Sequence, residues 1–420
     1  MFKMKTITLS LLALLLVMSF ASCASDTTSD LPLPSKDMKA YLQVKVTVEG
    51  SGDTRASRAA TEPKGGEEGD GREKGINKEN DVNSLTVLLY KSGKDDLSEA
   101  DATIDYVYTF TNLNKVTTSS GSDATYTTVP REIDASIVGK NYHVIVIANA
   151  DDMTSRCKGK ISEVRDLQMS KVCTRDADIT NFSNFIMSSK TDAMIDFTKE
   201  GSETDPYVVN VDIERLAARI DIIPNATYVD TDKGYYYNVM DGTNVVGGFK
   251  LESVTPTKVM TSGEYLIKRV SSDNTVSSVT YFGVEAKNAD NKATNYVVCP
   301  WTKDRTGLTL SNAEGPTSLY NVKMTTSTST TDPSYILDYV MENTTTDNAE
   351  DYSTGLIFKG KYYEETEWDA TKKQPKAGFT GTDKKYTYTL RHSDPSGSGT
   401  TADPMHFGVV RNNIYQVKVE

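Results

Sequence analysis

The 420 residues predict an all-β protein, and three observations carry that reading. Residues 41–48 alternate without a break, with Leu42, Val44, Val46 and Val48 on one face and Tyr41, Gln43, Lys45 and Thr47 on the other. That period of two is the mark of a half-buried strand. Tyr (23 residues) and abundant Val, Ile and Thr, in a chain only 37% hydrophobic, suit half-buried sheets rather than a helical bundle. Short apolar runs recur between polar, turn-rich loops, the texture of sandwich-type domains. A chain of this length holds about two or three domains.

The first element precedes the fold. Lys3 and Lys5 give a cationic start, residues 7–20 an uncharged apolar run, and Phe20-Ala21-Ser22-Cys23 its close. A basic start, an apolar core and small residues before a cut describe a secretory signal. The run falls short of the about 20 apolar residues that a membrane span needs. Cys23, directly after the small residues, reads as a bacterial lipobox cysteine, diacylated and left as the mature N-terminus. The plainer alternative is an ordinary signal with an incidental Cys. Residues 1–22 are thus expected to be a lipoprotein signal peptide, and residues 24–30, with their Ser, Thr and Asp, a solvated tether.

After the strand at 41–48 comes a polar stretch, 49–83, rich in Gly, Glu, Lys and Asp and nearly free of large apolar side chains. It cannot bury enough to offset its ordering entropy and is expected to be a flexible, exposed loop. It contains Arg55 and Arg58. Strands are predicted at 85–90, 106–110 and 142–148, and a helix over 161–172 from the spacing of Ile161, Val164 and Leu167. From Val209 the apolar residues fall on odd positions, then from Leu216 on even ones, which predicts a bulge or bend at Glu214-Arg215. Further strands are predicted at 279–284, 296–301, 356–362, 386–391 and 407–419. No repeat of fixed period is present.

The formal charge of −12 argues against a nucleic-acid partner, which needs a clustered basic surface. With Cys23 acylated, Cys157, Cys173 and Cys299 remain, an odd number in an export pathway. Cys157 and Cys173 flank the predicted helix, either as a disulfide or as two buried thiols. Without a Cys-x-x-Cys, a structural zinc site has no support. His143 and His406, in or beside strands, read as structural. His392-Ser393-Asp394 holds triad residue types side by side in a Gly/Ser-rich loop, whereas triads need distinct supports. There is no His-Glu-x-x-His and no Gly-x-Ser-x-Gly. The glycines at 66–71 stand among Glu67, Glu68 and Asp70, which would repel a phosphate. Nothing marks a catalytic residue, a cofactor or a metal, so the chain reads as a non-enzyme.

Several segments in order along the chain carry a resemblance. They are the lipobox at Cys23, the strand at 40–48 followed by Thr54-Arg55-Ala56, the strand at 85–90, and Phe185-Ile186-Met187-Ser188. The stretch from Val211 to Ile220 (VDIERLAARI), that from Thr354 to Tyr362 (TGLIFKGKY), and 407–419 with Val410-Arg411-Asn412-Asn413-Ile414-Tyr415 complete the set. On these segments the chain resembles the fimbrillins of Bacteroidia, the type V pilins, most nearly the minor-fimbrium branch. The resemblance implies two transthyretin-like β-sandwich domains, 56–223 and 224–420, behind a lipidated propeptide, 23–55, that holds a removable strand. It also implies carriage to the outer membrane as a lipoprotein and a cut after an Arg, here Arg55 or Arg58. A strand from another fimbrial subunit, of this or a related kind, then fills the opened groove. In the family a further donor segment follows the strand that here ends at Glu420, so either the sequence is incomplete or this subunit accepts a strand and donates little.

Two other readings share the lipidated, acidic, all-β character. One is a surface glycan-binding lipoprotein that stacks sugars on Trp301 or Trp368. The other is a lipid-retained anchor of the same family that escapes the Arg cut. A polymerising subunit needs the Arg55/Arg58 loop to be cleavable; the others do not. A host or bacterial surface ligand is compatible with each.

Overall fold

The computed structural model describes residues 39–48, 77–91, 102–116, 124–165, 167–175, 182–198, 201–226, 228–229, 232, 234–260, 264–267, 322–323, 335–345, 354–390 and 407–420. Cys23, Arg55, Arg58, Cys299, Trp301, His392, His406 and the strands expected at 279–284 and 296–301 lie outside them.

The described residues are almost wholly strand. The first sheet orders Ile104–Phe110, Leu85–Tyr90, Asn141–Ala148, Met187–Ser189, Tyr207–Arg215, Ala40–Val48, Thr125–Thr128 and Leu113–Val116. Ala193–Asp196 pairs with Asn141–Ala148, and Arg131–Ile133 with Ala40–Val48. Leu85–Tyr90 and Asn141–Ala148 read as near-continuous apolar runs because they are interior strands buried along nearly their whole length. His143 is one of these buried positions, stacked on Tyr90 with ring centroids 4.9 Å apart, a structural histidine as expected.

Among the described residues, the second half forms two larger sheets, beside the short pairs of Asn343–Thr345 with Phe407–Val409 and Trp368–Asp369 with Gln374–Pro375. Tyr335–Val340, Ala218–Pro224 and Ile414–Val419 make one, with Ala218–Pro224 central and parallel to Ile414–Val419. The other runs Tyr228–Val229, Gly234–Asp241, Asn244–Thr257, Gly355–Glu364, Thr382–Thr389. Gly234–Asp241 and Asn244–Thr257 join through a two-residue hairpin loop in which Gly242 holds a φ of 58°, a conformation glycine adopts without strain.

The bend expected at Glu214-Arg215 is a change of sheet. Tyr207–Arg215 belongs to the first sheet and Ala218–Pro224 to the second half, with Leu216 and Ala217 between them. Ala218, Ile220 and Ile222 pack in the second core, although the expected division at 223/224 assigned them to the first unit.

Other expectations change. The helix predicted over 161–172 is one turn, Ile161–Arg165; Gln168–Met169 is already extended, paired with Glu264–Tyr265. The strand predicted over 407–419 is two strands, Phe407–Val409 and Ile414–Val419, split by a turn in which Asn412 has a φ of 59°. Cys157 and Cys173 are both free and buried, and burial pushes each thiol up to about 11, so the disulfide alternative falls.

Within the polar stretch expected to run loose to Asn83, Asn77–Asn80 forms a 3-10 helix with Glu79 and Asn80 buried. Its polar composition reads as solvated, but the partners that satisfy it are remote in sequence. Glu79 accepts from Arg219 at 2.9 Å and from the Tyr339 hydroxyl at 2.5 Å. This charged junction between the two cores continues with Arg219 on Asp221 at 2.8 Å and Arg175 on Asp338 at 3.0 Å. Arg411, fully buried, donates from Nε to Glu342 at 2.7 Å and from its terminal nitrogens to the carbonyls of Leu266 and Tyr265. Leu266 and Ile267, held there, pack into the first core.

Candidate functional site

The strand Ala40–Val48 sits inside a sheet rather than along its edge. On one bank it pairs in parallel with Tyr207–Arg215, from Leu42 opposite Tyr207 to Val48 opposite Ile213. On the other it pairs antiparallel with Arg131–Ile133, Ala40 opposite Ile133, and then with Thr125–Thr128, Val46 opposite Tyr126. Withdrawal of this strand would therefore leave two unpaired sheet edges facing each other across a slot.

The alternation read from sequence is the alternation seen. Ala40, Leu42, Val44, Val46 and Val48 are fully buried, while Tyr41, Gln43, Lys45 and Thr47 are half-buried. Removing the four larger side chains from water is worth about 1.5–3 kcal/mol each, so the apolar stripe supplies most of the hold.

The polar contacts set register. Between Thr128 and Arg131 the partner chain passes through Pro130, which has no N–H to give. There the Thr128 hydroxyl accepts the Val44 N–H at 2.9 Å, and the Gln43 side-chain amide donates to the Thr128 carbonyl at 2.9 Å. At the end of the strand, the Val48 N–H reaches the Ala124 carbonyl at 2.9 Å. At its start, Lys39 and the Tyr41 hydroxyl meet Glu132 at 3.1 and 3.2 Å. Both hydrogen bonds hold the Glu132 carboxyl below its usual range, but Lys39 and Glu132 are well exposed and add little to stability.

The structure thus assembles a slot and its occupant from residues whose pairing the sequence did not mark. The parallel bank Tyr207–Arg215 was legible as a strand from Val209 but not as the partner of Ala40–Val48, and Thr128 and the short bank Arg131–Ile133 were not singled out, since pairing over such separations leaves no local pattern. Cys23, Arg55 and Arg58 fall outside the described residues, so their surroundings do not enter. Trp368, offered as a sugar-stacking side chain, is buried between Tyr236 and Tyr363, with its indole N–H donated to Asn238 at 2.8 Å. It is a core residue.

Residues 40–215 match the family described as major fimbrial subunit protein (FimA). The match opens on the first residue of the occupant strand and closes on the last residue of its parallel bank. Among solved structures, the chain is similar to the tip fimbrial protein Mfa3 of Porphyromonas gingivalis with a C-terminal truncation. The two are 13% identical over 91% of this chain and 95% of that one, with a TM-score of 0.42. It is also similar to a putative cell adhesion protein of Parabacteroides distasonis (15% identity, 90% and 87% covered, TM-score 0.43). Another of that description from Bacteroides eggerthii gives 13% identity, 92% and 100% coverage, and a TM-score of 0.40. No protein of curated function matches the chain.

Proposed function

We propose that this chain, whose residues 40–215 belong to the FimA-type family of fimbrial subunit proteins, is a structural or accessory subunit of a cell-surface fimbrium assembled by strand exchange. In this reading residues 1–22 direct export and residues 23–55 are a propeptide anchored in the outer membrane through diacylated Cys23. A cut after Arg55 or Arg58 detaches the propeptide. The mature subunit keeps the two β-sandwich units read from sequence, 56–223 and 224–420, with Ala218–Pro224 serving the second core. It has no catalytic role, needs no cofactor and binds no nucleic acid. Its partners are other fimbrial subunits of the same or a related kind, and adhesion to a host or bacterial surface follows from the fibre.

The observation that carries the reading is the position of Ala40–Val48. An interior strand is hydrogen-bonded on both sides, yet it joins the rest of the chain through a sequence rich in charged residues and glycine that holds three arginines, Arg55 and Arg58 among them. Loss of an interior strand exposes two rows of backbone donors and acceptors and an apolar trough, which another extended segment can fill. Four apolar side chains in the slot correspond to roughly 6–12 kcal/mol before ordering costs, enough for slow dissociation along a filament.

The reading is tested by exposing the purified precursor to a trypsin-like protease and sequencing the new N-terminus. A start at Ala56 or Ala59 is expected, with the trimmed protein still folded and able to capture a synthetic peptide bearing an alternating apolar strand. A trimmed protein that melts and that no peptide rescues would make Ala40–Val48 permanent core and end the strand-exchange reading. The glycan-binding alternative loses Trp368 to the core.

A further inference from the structure

The slot of the first core and the C-terminal strand of the second are joined by a run of hydrogen bonds through one short segment, Asn77–Asn80. On the slot side, Val46 lies opposite Tyr126, and the Tyr126 hydroxyl donates to the Asn80 carbonyl at 3.1 Å. The parallel bank, Tyr207–Arg215, ends at Arg215, whose guanidinium donates to the Asn80 side-chain oxygen at 2.6 Å. One residue earlier, Glu79 is held by Arg219 and Tyr339 of the second half. The Arg219 N–H donates to the Asn413 carbonyl at 2.9 Å and the Asn412 N–H to the Ala217 carbonyl at 2.8 Å. The turn that launches Ile414–Val419 therefore hangs on the same junction.

Tyr126 and Arg215, which reach Asn80, stand on the banks of the slot. Arg219 and Tyr339, which reach Glu79, stand on Ala218–Pro224 and Tyr335–Val340, the strands of the sheet that holds Ile414–Val419, while the Tyr339 ring packs in the first core. Glu79, Asn80, Arg215, Asn412 and Asn413 are all buried, and losing one member of a buried ion pair is costly. A contiguous, desolvated network of this kind is a physical route for coupling.

We infer that Asn77–Asn80 couples the two strands, so that a filled slot tightens the second core's hold on Ile414–Val419 and an emptied slot loosens it. The inference rests on the strand-exchange reading, because coupling has a use only if the slot empties. It would keep the precursor inert at both ends until the cut. Linkage requires the same factor in both directions, and couplings of ordinary size run from about 5- to 150-fold.

Reciprocity allows the test to be made on the intact chain. Val417, half-buried on Ile414–Val419 and packed against the second core, is replaced in the variant Val417→Ser to weaken that strand. Hydrogen exchange is then followed in Ala40–Val48, in the wild-type and the Glu79→Gln backgrounds. The expected result is exchange at least about 5-fold faster in Ala40–Val48 on Val417→Ser, with Asn141–Ala148 unchanged. In the Glu79→Gln background the same substitution should add nothing. Unaltered exchange in Ala40–Val48, an equal rise in both backgrounds, or a matching rise in Asn141–Ala148 would overturn the coupling. If Ala40–Val48 opens on its own in the wild type and only the coupling is missing, the strand-exchange reading stands. If it opens only together with Asn141–Ala148, both fall.

Discussion

Asp338 is enclosed at the junction, where its carboxylate meets Arg175 at 3.0 Å and accepts the Tyr339 backbone N–H at 2.7 Å. Burial still wins over both contacts and pushes its pKa from the ordinary 3.8 up to about 6. The folded protein thus binds this proton more tightly than the unfolded chain does. The contribution is fully present below the unfolded value and is lost as pH rises through about 6. Acidifying from pH 7 to 5 should stabilise the wild type by on the order of 1 kcal/mol more than an Asp338→Asn variant. Thermal unfolding of both proteins at the two pH values checks this; an equal response would remove Asp338 as the source. A second side chain tests what can be read locally. Trp368→Ala should cost about 3–5 kcal/mol in denaturant unfolding, because the ring fills a buried site against Tyr236 and Tyr363. A Cβ on Gly248 would meet that ring at 2.0 Å, so a bare glycine across the sheet makes the room. Nothing near Trp368 in sequence signals that glycine, so the sequence left a sugar-stacking role open beside the core packing it favoured.

The strands whose register is set by burial on one face were legible. Ala40–Val48 was read to within one residue because every second side chain is fully buried, and Gly355–Glu364 was recognised for its apolar start. Elements set by tertiary partners were not. The helix expected over 161–172 gives way after Arg165 because Gln168–Met169 is drawn into pairing with Glu264–Tyr265. Asn77–Asn80 looked solvated because its partners are remote in sequence, Arg219 on Glu79 and Arg215 on the Asn80 amide oxygen. Half of the candidate site was hidden in the same way, since neither the parallel bank nor Thr128 carries a pattern that names its partner. Thr128 supplies the sharpest check on that half. Thr128→Val preserves shape but leaves the buried Val44 N–H without its acceptor, at a cost of about 1–3 kcal/mol. Hydrogen exchange should quicken in Ala40–Val48 and not in Asn141–Ala148; unchanged exchange there would mean that Thr128 does not help to hold the strand.

The two cores and the slot make a single account of maturation, which begins and ends outside the described residues. Cys23→Ala should abolish acyl labelling of the precursor, because two chains give the durable anchoring that one does not; persistent labelling would place the lipid elsewhere. In the proposed strand-exchange reading the cut is the decisive step. Arg55 and Arg58 lie in sequence between the occupant strand and Asn77–Asn80, which clasps both cores. A break at either arginine parts the strand from the chain and leaves that clasp on the mature side. The strand then stays only through its pairing and its apolar stripe, and a competing strand of higher affinity displaces it. Without the break the tethered strand returns at high effective concentration and excludes any competitor. Cells expressing the double variant Arg55→Ala, Arg58→Ala should therefore accumulate a folded, uncut precursor with no incorporation into surface fibres. Each single variant should retain part of the wild-type yield. Fibre incorporation of the double variant at wild-type level would show that neither arginine is the maturation site, and the slot would then have to be emptied by some other route.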